Sequence, residues 1–365
     1  MVFSEIKKNF GFGCMRLPMK DGNVDYDKFN SMIDYFIDNG FNYFDTAHGY
    51  IDGKSETAIR DCLSARYPRE KFILANKLSD WFVKSEEEIV PFFENQLKLC
   101  GVEYFDFYLF HSINAKNYAR HKSLNSFNVV KDLKAQGKIK HIALSFHDTA
   151  DVLDKILTEQ PFIEAVQLQI NYLDFDDPNV QSKACYDIAI KHGRSVIVME
   201  PVKGGALVNL PSDVASLFDN LNNGSYASYA LRYAASFENV FMTLSGMGNM
   251  EMMQDNLKTF ANFVPLNKNE LEVTDKAREL IRKANLIPCT KCNYCADVCP
   301  KKIPISDIFS SYNTYSSAKI TKNEFLNLLS KNGENFDCIK CGKCENICPQ
   351  SIKIRDKLDN IKKFM

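Results

Sequence analysis

Between residues 10 and 260, short runs of β-branched and aromatic residues alternate with stretches whose apolar positions recur at helical spacing. The runs are FGFGCMRL (10–17), FNYFDTA (41–47), KFILANKL (71–78), FDFYLFHS (105–112), IKHIALSF (139–146), AVQLQIN (165–171), SVIVMEP (195–201) and VFMTLSGM (240–247). Among the intervening stretches, DYDKFNSMIDYFIDNG (25–40) ends in a glycine stop signal. SEEEIVPFFENQLKLCG (85–101) places acidic residues in its first turn, where the helix dipole favours them. Strands that alternate with helices imply parallel strands, because a parallel connection needs a crossover. Eight such units in about 250 residues predict an α/β fold, a (β/α)8 TIM barrel. An open doubly wound sheet would need a glycine-rich fingerprint after its first strand, and Gly11-x-Gly13 has no third glycine at the required place.

The alternation stops after residue 260. KNELEVTDKARELIRKANL (268–286) reads as a charged linking helix, and a mostly helical stretch follows at 304–333. The predicted organisation is a barrel over 1–265, a helical linker over 266–286 and an α-rich domain over 287–365. Of the 365 residues, 45 % are apolar and 25 % charged, as in ordinary globular chains, and the net charge of −1 argues against a dedicated nucleic-acid binder. Charge divides where the pattern does: residues 1–286 carry a balance of −6 and residues 287–365 one of +5. No apolar run reaches the ~20 residues that cross a bilayer, and MVFSEIKKNF lacks the apolar core of a signal peptide, so no membrane association and a cytoplasmic location are expected.

Cysteine usage is what departs from this ordinary picture. Cys14, Cys62, Cys100 and Cys185 are scattered and read as small core residues, whereas eight of the twelve cysteines lie between 289 and 348. Cys289-x-x-Cys292-x-x-Cys295-x-x-x-Cys299-Pro300 is followed by Cys338-x-x-Cys341-x-x-Cys344-x-x-x-Cys348-Pro349. Both runs resemble the signature of bacterial ferredoxins, in which three closely spaced thiolates wrap one [4Fe–4S] cube and the fourth Cys of each run ligates the other cube. One cluster would then use Cys289, Cys292, Cys295 and Cys348, and the other Cys338, Cys341, Cys344 and Cys299. Two zinc sites are the alternative, but zinc needs only four ligands and no terminal Cys-Pro. A positive surplus in this segment suits anionic clusters.

Catalytic groups of such barrels sit at the C-terminal ends of the strands. Those ends supply Asp45 and, within DTAHGY, Tyr50; then Lys77 in ILANK and His111 in FYLFH. Singly, each has a bland account as a cap, a loop aromatic, a solvent-reaching amine or a rim histidine. Four on three consecutive strands point to a shared site. Lys203-Gly204-Gly205 after the seventh strand and Ser245-Gly246-Met247-Gly248 after the eighth stand where these barrels bind phosphate.

FGFGCMRLP, FDTAHGY, LANK, LFHS, LSFHD, QLQINYLD, MEPVKGGAL and SGMGNMEMMQDN together resemble the aldo-keto reductases, specifically the subgroup with a C-terminal two-cluster ferredoxin-like domain. The resemblance implies hydride transfer between NAD(P)H and a small carbonyl or alcohol. Tyr50 would be the general acid, Lys77 the ammonium that eases its proton release, Asp45 the partner of Lys77, and His111 the group that orients the carbonyl oxygen. It assigns Ser145 and Gln167 to the nicotinamide carboxamide, and Asn256, with Asp255 beside it, to adenine. Gly13, Met199, Lys203, Gly204, Ser245, Gly246 and Met247 complete the cofactor-binding set. Three positions depart from the better-known reductases. Met199 replaces the aromatic that stacks on nicotinamide, Phe146 replaces an asparagine, and Met252 replaces the cation that grips a 2′-phosphate, which leaves NADP and NAD undecided.

A hydride carries two electrons, whereas each cluster passes one. A flavin would convert between them if the clusters feed the barrel. The alternative function is therefore a flavin-linked or ferredoxin-type electron-transfer protein that does not use nicotinamide. A ferredoxin or flavodoxin is the carrier either reading implies. The segment 112–127, rich in Asn, Ser and aromatic residues, reads as a loop forming a lid or pocket wall.

Overall fold

All eight expected strands are present in the computed structural model, which describes residues 3–317, 319–331 and 337–364. They are β1 (Phe10–Gly13), β2 (Tyr43–Asp45), β3 (Ile73–Leu78), β4 (Phe105–Ile113), β5 (Ile139–Phe146), β6 (Ala165–Gln169), β7 (Ser195–Met199) and β8 (Val240–Gly246). Each pairs in parallel with its sequence neighbours, and β8 pairs with β1, so the sheet closes into a barrel. Successive strands run parallel because a helical crossover returns the chain each time.

Side chains fill the barrel interior. Tyr43, Ile73, Ala75, Phe107, Leu109, Ala143, Ala165, Ile197, Met242 and Leu244 form one buried cluster, which Phe3 joins with its ring 5.1 Å from Phe107 and 4.6 Å from Phe241. Gly11 is glycine for lack of room: a Cβ there would lie 2.6 Å from the Leu244 side chain. Register brings the strand ends level at the C-terminal mouth. Gly13 faces Asp45 on one side and Gly246 on the other, Ser145 faces Gln167, and Gln169 faces Met199.

The helix expected over 25–40 runs Tyr26–Asp38, with the Asp25 side chain accepting from Lys28 N. That over 85–101 opens as a 3-10 turn at Glu86–Glu88 and continues as Ile89–Cys100, ended by Gly101 at φ 67°. The expected loop over 112–127 is instead largely helical, with Ala115–Ser123 followed by Ser126–Ala135. The asparagines that give this segment a loop-like composition are caps: Asn114 accepts from Lys116 N and Asn117 N, while Asn117 accepts from Asn114 N.

The chain divides by contact into two units. One holds the barrel, up to Pro201 together with Ala227–Leu266; the other holds Val202–Tyr226 together with Asn267 onward. The excursion between β7 and β8 packs with the tail: helix Ser212–Asp219 meets helix Lys268–Lys283, Asn223 donates to Glu270, and Lys319 donates to the carbonyl of Asn209. Beyond the linking helix, the stretch expected to be helical over 304–333 contains Ile305–Ser316 and Lys322–Lys331; its residues 318, 332 and 333 lie outside those described. Among the described residues no helix is long and apolar enough to cross a membrane.

Candidate functional site

Lys77 is the pivot of the barrel mouth. It is 1 % exposed, and its Nζ donates to Asp45 Oδ1 at 2.7 Å and to the carbonyl of Thr46 at 2.8 Å. The same Nζ lies 4.8 Å from the centre of the Tyr50 ring. Tyr50 is buried in the turn after β2, where Ile51, Asp52 and Gly53 in succession adopt positive φ and bend the chain back toward helix Lys54–Ile59. His111, on β4, faces Tyr50 at a ring separation of 6.0 Å. The four residues expected to act together are therefore brought together.

Burial raises the Asp45 carboxyl above its ordinary value and lowers the Lys77 ammonium, and their mutual contact works against both shifts. Burial, reinforced by the Lys77 charge, holds His111 well below the usual imidazole range, so this ring is neutral. Its Nδ1 lies 2.6 Å from Ser79 Oγ. With the hydroxyl donating there, Nε2 carries the proton and can itself donate.

Behind Lys77 lies a polar network that sequence reasoning did not find. Glu56 is fully buried and accepts from Asn76 Nδ2 at 2.8 Å and Gln96 Nε2 at 3.2 Å, while His48 Nδ1 sits 2.6 Å from its other oxygen. Gln96 also donates to the Lys77 carbonyl and accepts from the Tyr108 hydroxyl at 2.6 Å. The network fixes β3 on either side of the amine. The available signal was a charged Glu56 among Ser55, Ala58 and Ile59 on the inward face of a helix. Also missed was an aromatic wall. The Trp81 ring lies 5.0 Å from His111, and Phe82 lies 4.9 Å from His48. Arg120, from the helix that replaces the expected loop, pairs with Asp80 at 3.1 Å and donates to the Val83 carbonyl, holding that turn.

The expected cofactor residues fall into two groups. Ser145 and Gln167 are buried side by side on β5 and β6, and Met199 ends β7 half-buried. Ser245 and Gly246 end β8, Met247 is buried just beyond, and Asn256 Nδ2 donates to Ser245 Oγ at 3.3 Å. Arg16, which the sequence did not single out, leans over this corner: a Cβ on Gly246 would come within 3.2 Å of its side chain. Small backbone at Gly13 and Gly246, two buried polar side chains and a nearby cation fit a dinucleotide. Met252 is 49 % exposed, with no cation in its place. Lys203 and Gly204, which follow β7, fall by contact in the other unit.

That unit contains two apolar hollows, each lined by four thiols. Cys289, Cys292, Cys295 and Cys348 line one, with Ile305, Phe309, Ile352 and Ile354; Cys299, Cys338, Cys341 and Cys344 line the other, with Ile303, Ile305 and Leu358. Ile305 lines both. The two runs repeat a backbone pattern. Lys291 and Lys340, Asn293 and Gly342, and Lys302 and Ser351 hold corresponding positions and all have positive φ. Short helices follow at Tyr294–Asp297 and Lys343–Ile347. Among the described residues no three His, Cys, Asp or Glu side chains gather as a single-ion site. Four thiols lining one apolar hollow are the donor set that a [4Fe–4S] cube takes.

Comparison with known proteins follows the same division. Residues 9–279 match the model of the Aldo/keto reductase family, and residues 287–352 match that of the 4Fe-4S dicluster domain. The chain is 23% identical over 295 residues to an uncharacterized oxidoreductase, YqkF, of Bacillus subtilis, covering 72% of this chain and 90% of that protein. Over a much shorter span of 58 residues it is 36% identical to norsolorinic acid reductase B of Dothistroma septosporum, 16% of this chain and 15% of that one. Among solved structures it resembles an aldo-keto reductase of Klebsiella pneumoniae in complex with NADPH, with a TM-score of 0.60 at 18% identity, covering 73% of this chain and 90% of that one. It resembles equally an aldo-keto reductase of Bacillus halodurans in its holo form, with a TM-score of 0.60 at 23% identity over 74% and 92% of the two chains.

Proposed function

The chain belongs to the aldo/keto reductase family and carries a 4Fe-4S dicluster domain, and from that premise we propose that it interconverts a small carbonyl compound and its alcohol at the Asp45, Tyr50, Lys77 and His111 site. A bound nicotinamide would supply or accept the hydride. Tyr50 gives its hydroxyl proton to the carbonyl oxygen as the carbon is reduced, and takes it back in the reverse direction. A tyrosine left alone holds that proton until about pH 10. The ammonium held 4.8 Å from its ring centre favours the phenolate that remains. Asp45 and the Thr46 carbonyl keep the amine in that place, and neutral His111 donates from Nε2 to the same substrate oxygen. Trp81 and Phe82 form the apolar wall against which the rest of a small substrate lies.

Ser145 and Gln167 are suited to the carboxamide, Asn256 to adenine, and Gly13, Ser245, Gly246 and Met247 to the diphosphate corner. Met199 would pack on the flat ring by its thioether. Cys289, Cys292, Cys295 and Cys348 would hold one [4Fe–4S] cluster, and Cys299, Cys338, Cys341 and Cys344 the other. Single electrons from these clusters would be exchanged with a ferredoxin or flavodoxin. The observation that carries the reading is the buried Lys77 bonded to Asp45 beneath Tyr50. It is tested by carbonyl reduction with NADPH and with NADH in Tyr50→Phe: turnover is expected to fall by about three orders of magnitude, and unchanged turnover would reject the assignment.

A second reading places a flavin in the barrel. It is favoured by Met252, exposed where a 2′-phosphate cation would stand, and by the mismatch between one-electron clusters and two-electron hydride. Near-stoichiometric flavin extracted from anaerobically purified protein would select it.

A further inference from the structure

The turn Lys203-Gly204-Gly205 has the composition of a phosphate loop, and it packs on segments of the cluster unit. All three residues have positive φ, at 47°, 61° and 95°. For lysine this is a disfavoured conformation, which surrounding structure must hold. Gly204 is pressed against the backbone of Thr290, the residue after Cys289. A Cβ at Gly204 would lie 2.4 Å from the Thr290 carbonyl oxygen and 2.7 Å from its Cα. Lys203 is 3 % exposed, and its Nζ reaches Gln350 Oε1 at 3.4 Å, two residues beyond Cys348. Thr290 and Gln350 both line the hollow of Cys289, Cys292, Cys295 and Cys348. The turn thus touches both chain segments that deliver thiols to this hollow.

We propose that the Lys203–Gly204 turn is a positioning element of this first cluster: Gly204 seats the ligand loop, and Lys203 sets a positive charge near the cluster. The proposal rests on the reading that the hollow holds a [4Fe–4S] cluster. With four thiolates such a cluster carries an overall charge of about −2, and taking up one electron makes it about −3, with no bond or proton changing place. A fixed cation favours the more negative state. Lys203 therefore raises the first cluster's reduction potential, leaving the second where its own surroundings put it.

The test uses full-length protein, purified anaerobically and titrated with dithionite while electron paramagnetic resonance follows the clusters. In Lys203→Met, one midpoint is expected to fall, so that its oxidised-to-reduced ratio at the wild-type midpoint rises about tenfold, which is 59 mV for one electron. The other midpoint stays fixed, and Lys203→Arg restores the first. Gly204→Ala is expected to lose about half the iron of the wild type while the second cluster's signal survives. If Gly204→Ala does not fold, the lysine variants decide alone. Both midpoints unchanged in Lys203→Met would overturn the proposal, and a simultaneous tenfold loss of NADPH affinity would return the turn to the coenzyme. Wild-type protein without bound iron would instead defeat the cluster reading itself.

Discussion

The barrel mouth and the cluster unit assemble their chemistry in opposite ways. In the cluster unit most ligands of a hollow lie within a few residues of one another, and the short turns between them, bent at matching left-handed positions, aim the thiols. The mouth gathers single residues from β2, β3 and β4, and its central contact spans 32 positions from Asp45 to Lys77. Local spacing can define a metal site almost unaided. A proton-transfer site needs the whole barrel to place one amine, and a buried network of Glu56, Asn76 and Gln96 to keep it there. Damage at the mouth should therefore spread into stability and leave the iron intact.

Tyr50→Phe makes the sharpest cut: about a thousandfold loss of kcat in carbonyl reduction, with visible iron–sulfur absorbance equal to wild type. Loss of absorbance would break the separation. Lys77→Met should cost about 3–5 kcal/mol in urea unfolding, because it strands a buried carboxylate, and adding Asp45→Asn should recover most of that. If the single variant unfolds like wild type, the pair is not what holds the mouth. A pH test follows from His121, buried against Phe110 with neither ring nitrogen hydrogen-bonded and pushed down to about 3 by burial. The folded state keeps this ring neutral while the unfolded chain protonates it near pH 6.5, so stability falls as pH drops from about 6.5 toward 3. At pH 5 the loss is about 2 kcal/mol, and His121→Leu should remove it; equal pH dependence in the two proteins would refute the account. The smallest effect is expected at Met252→Arg, which should shift the NADPH-to-NADH affinity ratio about tenfold toward NADPH without altering either cluster's spectrum.

The strands and the thiols were legible because each is written in short-range order: an apolar run, or a Cys spacing. Asp45, Tyr50, Lys77 and His111 were legible because a barrel offers strand ends in a fixed place, so a polar residue closing an apolar run has a position as well as a type. Glu56 and Gln96 were not, since nothing in a helical stretch shows that a carboxylate and an amide turn inward to serve a neighbouring strand. Ser79 and Trp81 follow β3 by so little that their composition reads as an ordinary turn. The 112–127 segment was misread because asparagine favours helix caps for the same reason it favours loops, namely its side-chain bonds to nearby backbone. The contact of Gly204 with Thr290 was not legible, since composition does not say which neighbour a turn will press against.

Because the excursion Val202–Tyr226 finds its partners in the tail, the order of synthesis has a consequence. Lys203 leaves the ribosome 147 residues ahead of Gln350, a delay of roughly 7–30 s at cellular elongation rates. Throughout that interval the turn lacks the contacts that hold its strained conformation, and the chain there is free to leave it. Release from any attending chaperone should therefore come late, after the second cysteine run has emerged. Chains arrested before residue 350 should therefore be cut by proteases within residues 202–226 sooner than the finished protein.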